Sequence, residues 1–555
     1  MLLKRLLIGP ALKTARAAEE RLNKTIALAV FASDPLSSVA YATEEILLIL
    51  VLAGTAFVHL SIPISICIVT LLMILTLSYR EIIFEYPAGG GAYIVAKTNL
   101  GEGAGLTAAA ALTIDYVLTV AVSAAAGIAA VTSAFPNLYP HRVALAVSAV
   151  LLVMTVNLRG LRESGKVFAF PTYLFVMSLL LMLGAGGWQV FHGYQPATAV
   201  SSLPVVESIT FFLLLRAFSS GCTALTGVEV ISNGVSAFKR PESGNAAKTM
   251  SAMGVILAIL FLGITLLASR YAVLPREDET LLSQIARTTF GEGPLYYVVQ
   301  VSTMAILILA ANSSFNGFPR LASILARDGY MPRQMSGMGD RLVFSNGIIV
   351  LGLLACFLIV AFKSDTHALI PLYAVGVFLS FTLSQAGMVK HWLHNRGLHW
   401  QKRLAINTVG AIATGIATVI IAATKFLHGA WIVVALLPLI IWLFRKVHDH
   451  YRSVEKQMAL SRDHRPPKPK RNVVLIPISG VNHAALQALD YARSYAGDLR
   501  ALFVGIDSES TARLEMQWAQ WGCGVPLIVV SSPYRSVVGA LLSYIEEVLD
   551  KDQSC

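Results

Sequence analysis

Three carboxylates fall inside stretches of this sequence that are otherwise apolar: Asp34, Asp115 and Glu229. Asp34 lies in TIALAVFASDPLSSVAYATEEILLILVLA (25–53), a helical turn or more beyond the basic flank and too deep for a short side chain to reach the surface. An ionised group at that depth costs at least ~3 kcal/mol unless it is paired, which makes a functional reading the default. Pro35 removes a backbone donor beside it, and Ser37 and Ser38 offer hydroxyls to the carbonyls set free. A second stretch, FFLLLRAFSSGCTALTGVEVISNG (211–234), is irregular in the same way. Ser219, Ser220, Gly221, Thr226 and Gly227 are poor helix formers clustered in mid-stretch, and Glu229 follows at once. Paired interruptions of this kind point to an inverted repeat and to a binding site at the bilayer midplane.

Other polar groups fall in register with these acids. Asp115 sits in TIDYVLTVAVSAAAG (113–127), with Thr119 four residues on and Ser123 eight on, so the three line one helical face. A structural alternative is a carboxylate that ties the bundle to Arg216 or to a tyrosine. Tyr41 follows Asp34 by seven residues and shares its face if the helix resumes quickly. Tyr373, in LIPLYAVGVF (369–378), supplies a hydroxyl in the second half of the chain, although an isolated membrane tyrosine reads equally as an interface anchor. Carboxylates, hydroxyls and freed carbonyls, with no cationic side chain among them but Arg216, suit a hard cation. Three acids around one monovalent ion leave surplus negative charge. Like charges at low dielectric cannot all stay ionised, so at least one acid is expected to hold a proton during part of a transport cycle. Glu229 and Asp34 are both candidates.

The elements that position these groups must be membrane spans. The chain has 555 residues, 55% hydrophobic and 14% charged, with a mean hydropathy of +0.66. A soluble domain carries about a quarter charged residues. Apolar stretches of about 20 residues, enough to cross the hydrocarbon core, recur along the chain. Twelve are predicted, at about 25–53, 59–83, 103–133, 142–158, 167–190, 208–235, 249–273, 294–322, 344–362, 369–389, 404–423 and 429–446. With the N-terminus inside, the cytoplasmic connections hold roughly twenty Lys and Arg residues and the external ones, including Lys425, about six. Both termini are therefore expected in the cytoplasm. No cleavable signal is expected, because the first apolar stretch runs straight into Asp34 and Pro35.

The pattern changes after residue 448. Residues 449–471 are basic and end in HRPPKPKR (464–471), which reads as a linker between a transmembrane domain (1–448) and a cytoplasmic α/β domain (472–555). NVVLIPI (472–478), ALFVGID (501–507) and VPLIVVSS (525–532) are strand signals separated by helical stretches, which argues for a small parallel sheet. SGVNH (479–483) reads as a strand–helix turn, with a nucleotide loop as the alternative. The net charge of +11 does not argue for nucleic acid, because its Lys and Arg lie in short loops between apolar spans. Cys67, Cys222, Cys356, Cys523 and Cys555 form no CxxC pair, so neither a resident metal nor a disulfide framework is expected. No nucleophile–base constellation suggests an enzyme. Between the second and third spans, YPAGGGAYIVAKTNLGE (86–102) lacks the GK[ST] of a phosphate loop and reads as a cytoplasmic connector whose glycines serve gating.

Several long motifs in the sequence closely resemble the KimA potassium permeases, cousins of the Kup proteins in the amino acid–polyamine–organocation superfamily. They are FASDPLSSVAYATEEILLIL (31–50), YPAGGGAYIVAKTNLGE (86–102), AFSSGCTALTGVEVISNGVSAFKRP (217–241), LARDGYMPRQ (325–334) and LIPLYAVGVFLSFTLSQAGM (369–388). The resemblance implies a LeuT-type fold of two inverted five-helix repeats plus two helices, a homodimer in a bacterial plasma membrane, and high-affinity uptake of potassium with protons. Its ion site falls on Asp34, Tyr41, Asp115, Thr119, Ser123, Thr226, Glu229 and Tyr373, with no cofactor. The tail resembles the universal-stress-protein-like domain of that family, which swaps across the dimer and can bind cyclic di-AMP. Here the sequence ends soon after SVVGALLSYIEEVLDKD (536–552), so an incomplete domain is expected. The alternative is an amino-acid permease of the same superfamily. Such a carrier needs exposed amides at the first interruption to grip a carboxylate, where this chain places Asp34. A transport-dead sensor would have no use for the buried acids, and the potassium-channel filter repeat is absent.

Overall fold

Several helix starts are set by side chains that accept orphan backbone donors. Asn23 caps α1 (Lys24–Phe31), Thr210 caps α9 (Phe211–Gly221), Thr280 caps α12 (Leu281–Phe290) and Asp365 caps α15 (Thr366–His394). The computed structural model describes residues 22–87, 89, 91–159, 165–194, 206–339, 343–397, 399–458, 473–494, 498–522, 524–532 and 536–551. After α1 come α2 (Ser33–Ser37), α3 (Val39–Leu50), α4 (Ser61–Glu85), α5 (Ala92–Leu100), α6 (Glu102–Ala134), α7 (Arg142–Leu158) and α8 (Gly165–Phe191). The later helices of the apolar part are α10 (Val230–Asn233), α11 (Glu242–Arg270), α13 (Pro294–Arg327), α14 (Ser345–Ala361), α16 (Trp400–Lys425) and α17 (Ala430–Met458).

Among the described residues ten helical segments are long and apolar enough to cross a bilayer. Two of the twelve predicted spans take another form. The stretch 25–53 is divided into α1, α2, α3 and a 3₁₀ turn, and α14 has only 17 residues. The central spans are enclosed and the outer ones are not. α6 is the most enclosed span, packed against α5, α7 and α15, whereas α7 is the least. Large apolar side chains that are mostly exposed, among them Leu152, Phe170, Trp188, Phe357 and Val419, face outward as they would toward lipid.

The connector 86–102 is not a plain loop. Nine of its residues form α5, whose Tyr93, Val95 and Ala96 are buried against α6 and α15. Alanines and β-branched residues in AYIVAKTNL make a helix with one small apolar face, a pattern that the preceding glycines disguised.

The chain separates into two compact units, one holding Arg21–Ile324 and Asn346–Phe444, the other Leu325–Ser345 and Arg445 onward. In the second unit α17 continues to Met458, so residues 449–458, read from sequence as linker, are helical. The Pro-rich run 464–471 lies outside the described residues. Beyond it β1 (Val473–Ile478), β2 (Asp498–Gly505) and β3 (Leu527–Ser531) form a parallel sheet in the order β1-β2-β3. The helices α18 (His483–Arg493), α19 (Ser508–Trp521) and α20 (Val537–Lys551) follow the strands in turn. Leu489, Phe503, Leu514 and Trp518 fill its core, and the Trp518 indole donates to the Val525 carbonyl at 2.9 Å. The SGVNH segment is a strand–helix turn in which Asn482 caps α18 by accepting from the Ala485 N–H at 2.9 Å.

Candidate functional site

The two interrupted spans differ in how far they open. In the first, Ala32 and Ser38 join the helical pieces in right-handed conformations, so the backbone is kinked and not unwound. The Asp34 carbonyl, deprived of a regular helical donor, accepts from the Ser37 hydroxyl at 2.7 Å and more weakly from Ser38 at 3.5 Å. In the sixth span the chain does unwind. After α9 come a 3₁₀ turn (Cys222–Leu225), Thr226 in an extended conformation and Gly227 at φ +78°, before α10 begins. The cluster of Ser, Gly and Thr has removed the helix preference over that stretch.

The unwound backbone lies directly against the kink. A Cβ at Gly227 would come within 2.7 Å of the Asp34 carboxyl group and 3.0 Å of the Pro35 ring. Ser38, which the sequence reading assigned only to helix repair, links the two spans through its hydroxyl. It lies 2.9 Å from the Tyr41 hydroxyl and 3.1 Å from that of Thr226. Asp34 itself accepts from Ser313 of α13 at 3.3 Å, a contact with no sequence signal because α13 reads as an ordinary apolar span.

A second group gathers on α6 and α15. The Thr119 hydroxyl sits 3.4 Å from Asp115 Oδ1 and 3.2 Å from the Tyr373 hydroxyl, donating to one at a time. Ser123 is buried on the same face of α6. Tyr373 is an enclosed residue of α15 and not an interface anchor. Glu229, 1% exposed, follows Gly227 at the foot of the unwound stretch, and its Oε2 has no hydrogen-bond partner among the described residues. Asp115 lies within electrostatic reach of both Glu229 and Asp34, and Tyr79 within reach of Glu229 and Asp115. The Tyr79 hydroxyl is buried beside Ser384, and Tyr116 meets Asn233 at 3.3 Å. Neither tyrosine was singled out from sequence.

Among the described residues, none of the three acids forms an ion pair with Lys, Arg or His. Arg216, the one cation considered from sequence, is engaged by Glu207 at 3.4 Å and His428 at 2.9 Å. A buried carboxylate without a counter-charge is strongly unfavourable. Three of them in mutual reach therefore require protons, a cation, or both. Carboxylate, hydroxyl and carbonyl oxygens on four spans supply what a hard monovalent cation coordinates.

The glycine run before α5 reaches the lower end of the same opening. A Cβ on Gly89, at φ +103°, would meet the Asn233 carbonyl at 3.0 Å, and one on Gly91 would meet the Asn233 side chain at 2.8 Å. Alanine at both positions should push this segment off the end of α10. Initial rates of rubidium uptake are expected to fall at least about threefold with protein level unchanged, and an unchanged rate would remove any gating role for the run.

Comparison with known proteins identifies the family. Residues 24–444 match a family profile described as amino acid permease, and residues 470–555 one described as the KimA potassium transporter C-terminal domain. The chain is 47% identical over 548 residues to the potassium transporter KimA of Bacillus subtilis, covering 98% of this chain and 90% of that protein. It is 22% identical to the low affinity potassium transport system protein Kup of Pectobacterium atrosepticum, over 64% of this chain and 57% of that one. The low-affinity putrescine importer PlaP of Escherichia coli is also 22% identical, over 58% of this chain and 71% of the importer.

Proposed function

The chain belongs to the KimA potassium transporters, within the amino acid permease family, and from that premise we propose that it takes up potassium by symport with protons. The observation that carries the reading is the meeting of Gly227 and Asp34, with Asp115 and Glu229 in reach and no cationic side chain paired to them. A dehydrated potassium ion is held by Asp34, Tyr41, Asp115, Thr119, Ser123, Thr226, Glu229 and Tyr373. A proton on one of the acids relieves the remaining negative charge and travels with the ion. Alternating access rocks the halves about this point.

The supporting scaffold is a LeuT-type pair of inverted five-helix repeats followed by two helices. The kinked stretch α1–α3 serves as span one and the short α14 as span nine, giving twelve. The protein sits in a bacterial plasma membrane with both termini inside, the orientation that the loop charges favour. The α/β tail, a universal-stress-protein-like domain, pairs two copies into a homodimer and is the place for cyclic di-AMP to regulate transport. An amino-acid substrate is disfavoured, because its carboxylate would meet Asp34 and Glu229 where amide donors are needed.

Growth of a bacterium lacking its own potassium uptake tests the reading. Expression should restore growth on low potassium, and rubidium entry into proteoliposomes should acidify their interior. Rescue by an added amino acid in place of potassium, or rubidium entry without proton movement, would contradict it.

A further inference from the structure

Above the ion site, toward the outer face, a second set of ionisable groups is buried for no reason that packing supplies. Glu44 and Glu45 follow Tyr41 on α3, and their side chains are 4% and 7% exposed. His367, in the first turn of α15, is 43% exposed and places Nδ1 2.6 Å from Glu45 Oε1 and Nε2 3.9 Å from Glu44 Oε1. The second oxygen of Glu44 accepts from the Leu281 N–H of α12 at 3.1 Å. A small cavity separates this cluster from the site below, lined by Tyr41, Glu44, Ala130, Thr280, Thr303 and His367. From Tyr41 the hydroxyls of Ser38 and Thr226 continue to the strip of backbone beside Asp34. Titratable and hydroxyl groups thus run from a part-exposed imidazole to the acids at the meeting of the spans.

The surrounding charges favour a proton on this cluster. Lys425, at the end of α16, is buried with no hydrogen-bond partner for Nζ among the described residues, and its charge acts on Glu45. It offsets one of the two glutamates, so the remaining negative charge is balanced when His367 or a glutamate is protonated. Other charged groups also face the cluster. Asp365 caps α15 by accepting from the His367 N–H, and its charge acts on that imidazole, while Arg216, paired with Glu207, and His428 lie on the Lys425 side and Glu279 pairs with Arg287 at 3.2 Å beside α12.

We propose that Glu44, Glu45 and His367 form the proton-loading site of the symporter. It takes a proton from the external solution and passes it by way of Tyr41 and Ser38 to the acids at the break. The inference rests on the symport reading and adds the route by which the proton enters. External hydronium protonates the imidazole, the imidazolium gives its proton to a glutamate, and that carboxylic acid gives it up toward Asp34. One proton moves, and each group regains its starting state.

Rubidium uptake by proteoliposomes over a range of external pH tests this, using wild type, His367→Gln and Glu45→Gln, with internal pH recorded. Wild-type uptake should rise as the outside is acidified. In both variants the external pH for half-maximal rate should move down by about one unit or flatten, while rubidium binding to purified protein stays within about twofold. His367 lies near the surface, so its variant carries the test even if Glu45→Gln fails to fold. Wild-type external pH profiles in the variants, beside a proton-coupled wild type, would overturn the loading site alone. Rubidium entry without proton movement in the wild type would overturn the symport reading as well.

Discussion

Replacing Glu229 by glutamine is expected to reduce rubidium uptake at least about tenfold without destabilising the protein. The two halves of that result have one cause. Glu229 is buried, lacks a hydrogen-bond partner for Oε2 among the described residues, and lies within reach of Asp115. In a fold that served only itself, such a group would be a liability of ~3 kcal/mol or more. Neutralising it removes that liability, so the apparent melting temperature without potassium should stay level or rise. Its worth appears only with a cation present. At ~3 Å and an effective dielectric near 20, a carboxylate and a monovalent ion attract by roughly 5 kcal/mol, much of it offset by dehydration of the ion. Retaining even ~1.4 kcal/mol of this gives the tenfold effect. Potassium should accordingly stabilise the wild type against heat and do so far less in the variant. Asp34→Asn should behave alike, although Ser313 already satisfies part of its carboxyl group. A variant that loses uptake because it has unfolded would show a lowered melting temperature without potassium.

The second large effect is expected at Gly227. Its φ of +78° lies where a side chain costs ~1 kcal/mol or more, and an alanine Cβ there would lie 2.7 Å from the Asp34 carboxyl group and 3.0 Å from Pro35. Pro35 is a ring in the backbone and cannot swing away, and turning the Asp34 carboxyl group aside would break its contact with Ser313. Gly227→Ala must therefore separate the two spans by part of an ångström at the point where the proposed ion site draws on both. Uptake should fall to background while protein remains in the membrane. Gly187→Ala, whose added Cβ meets nothing within 4 Å on an exposed part of α8, should keep the wild-type rate. Equal rates in the two variants would show that the close approach is not used.

The chemistry of the site was more legible than its geometry. Asp34–Pro35 and the Ser–Gly–Thr cluster marked the two irregular spans, because acids and helix breakers are rare at membrane depth. What residue types cannot say is how far each opens. The first only kinks, since Ser37 and Ser38 replace the lost backbone donors locally, whereas Gly227 lets the sixth turn out of the helix altogether. Ser38 and Ser313 were not assigned to the site because hydroxyls are common in apolar spans and carry no charge to betray them. Lys425 was placed in an external loop by counting charges, yet it is buried at the end of α16. Glu44 and Glu45 did leave a signal, two adjacent acids inside one span, that went unread beside Asp34. The tail was readable because strands and helices alternate in composition as well as in period, and Trp518 and Leu489 fall on the covered faces. The extent of α17 was not, since its charged residues 449–458 suit a solvated helix as well as a linker.

Equilibrium binding of radiolabelled rubidium to the purified protein is the most direct test of a cation held between the parted spans. Wild type should bind it saturably, displaced by potassium and not by amino acids, and Asp34→Asn, Asp115→Asn and Glu229→Gln should each weaken binding about tenfold or more. Undiminished binding in all three, or displacement of the label by an amino acid, would contradict the account.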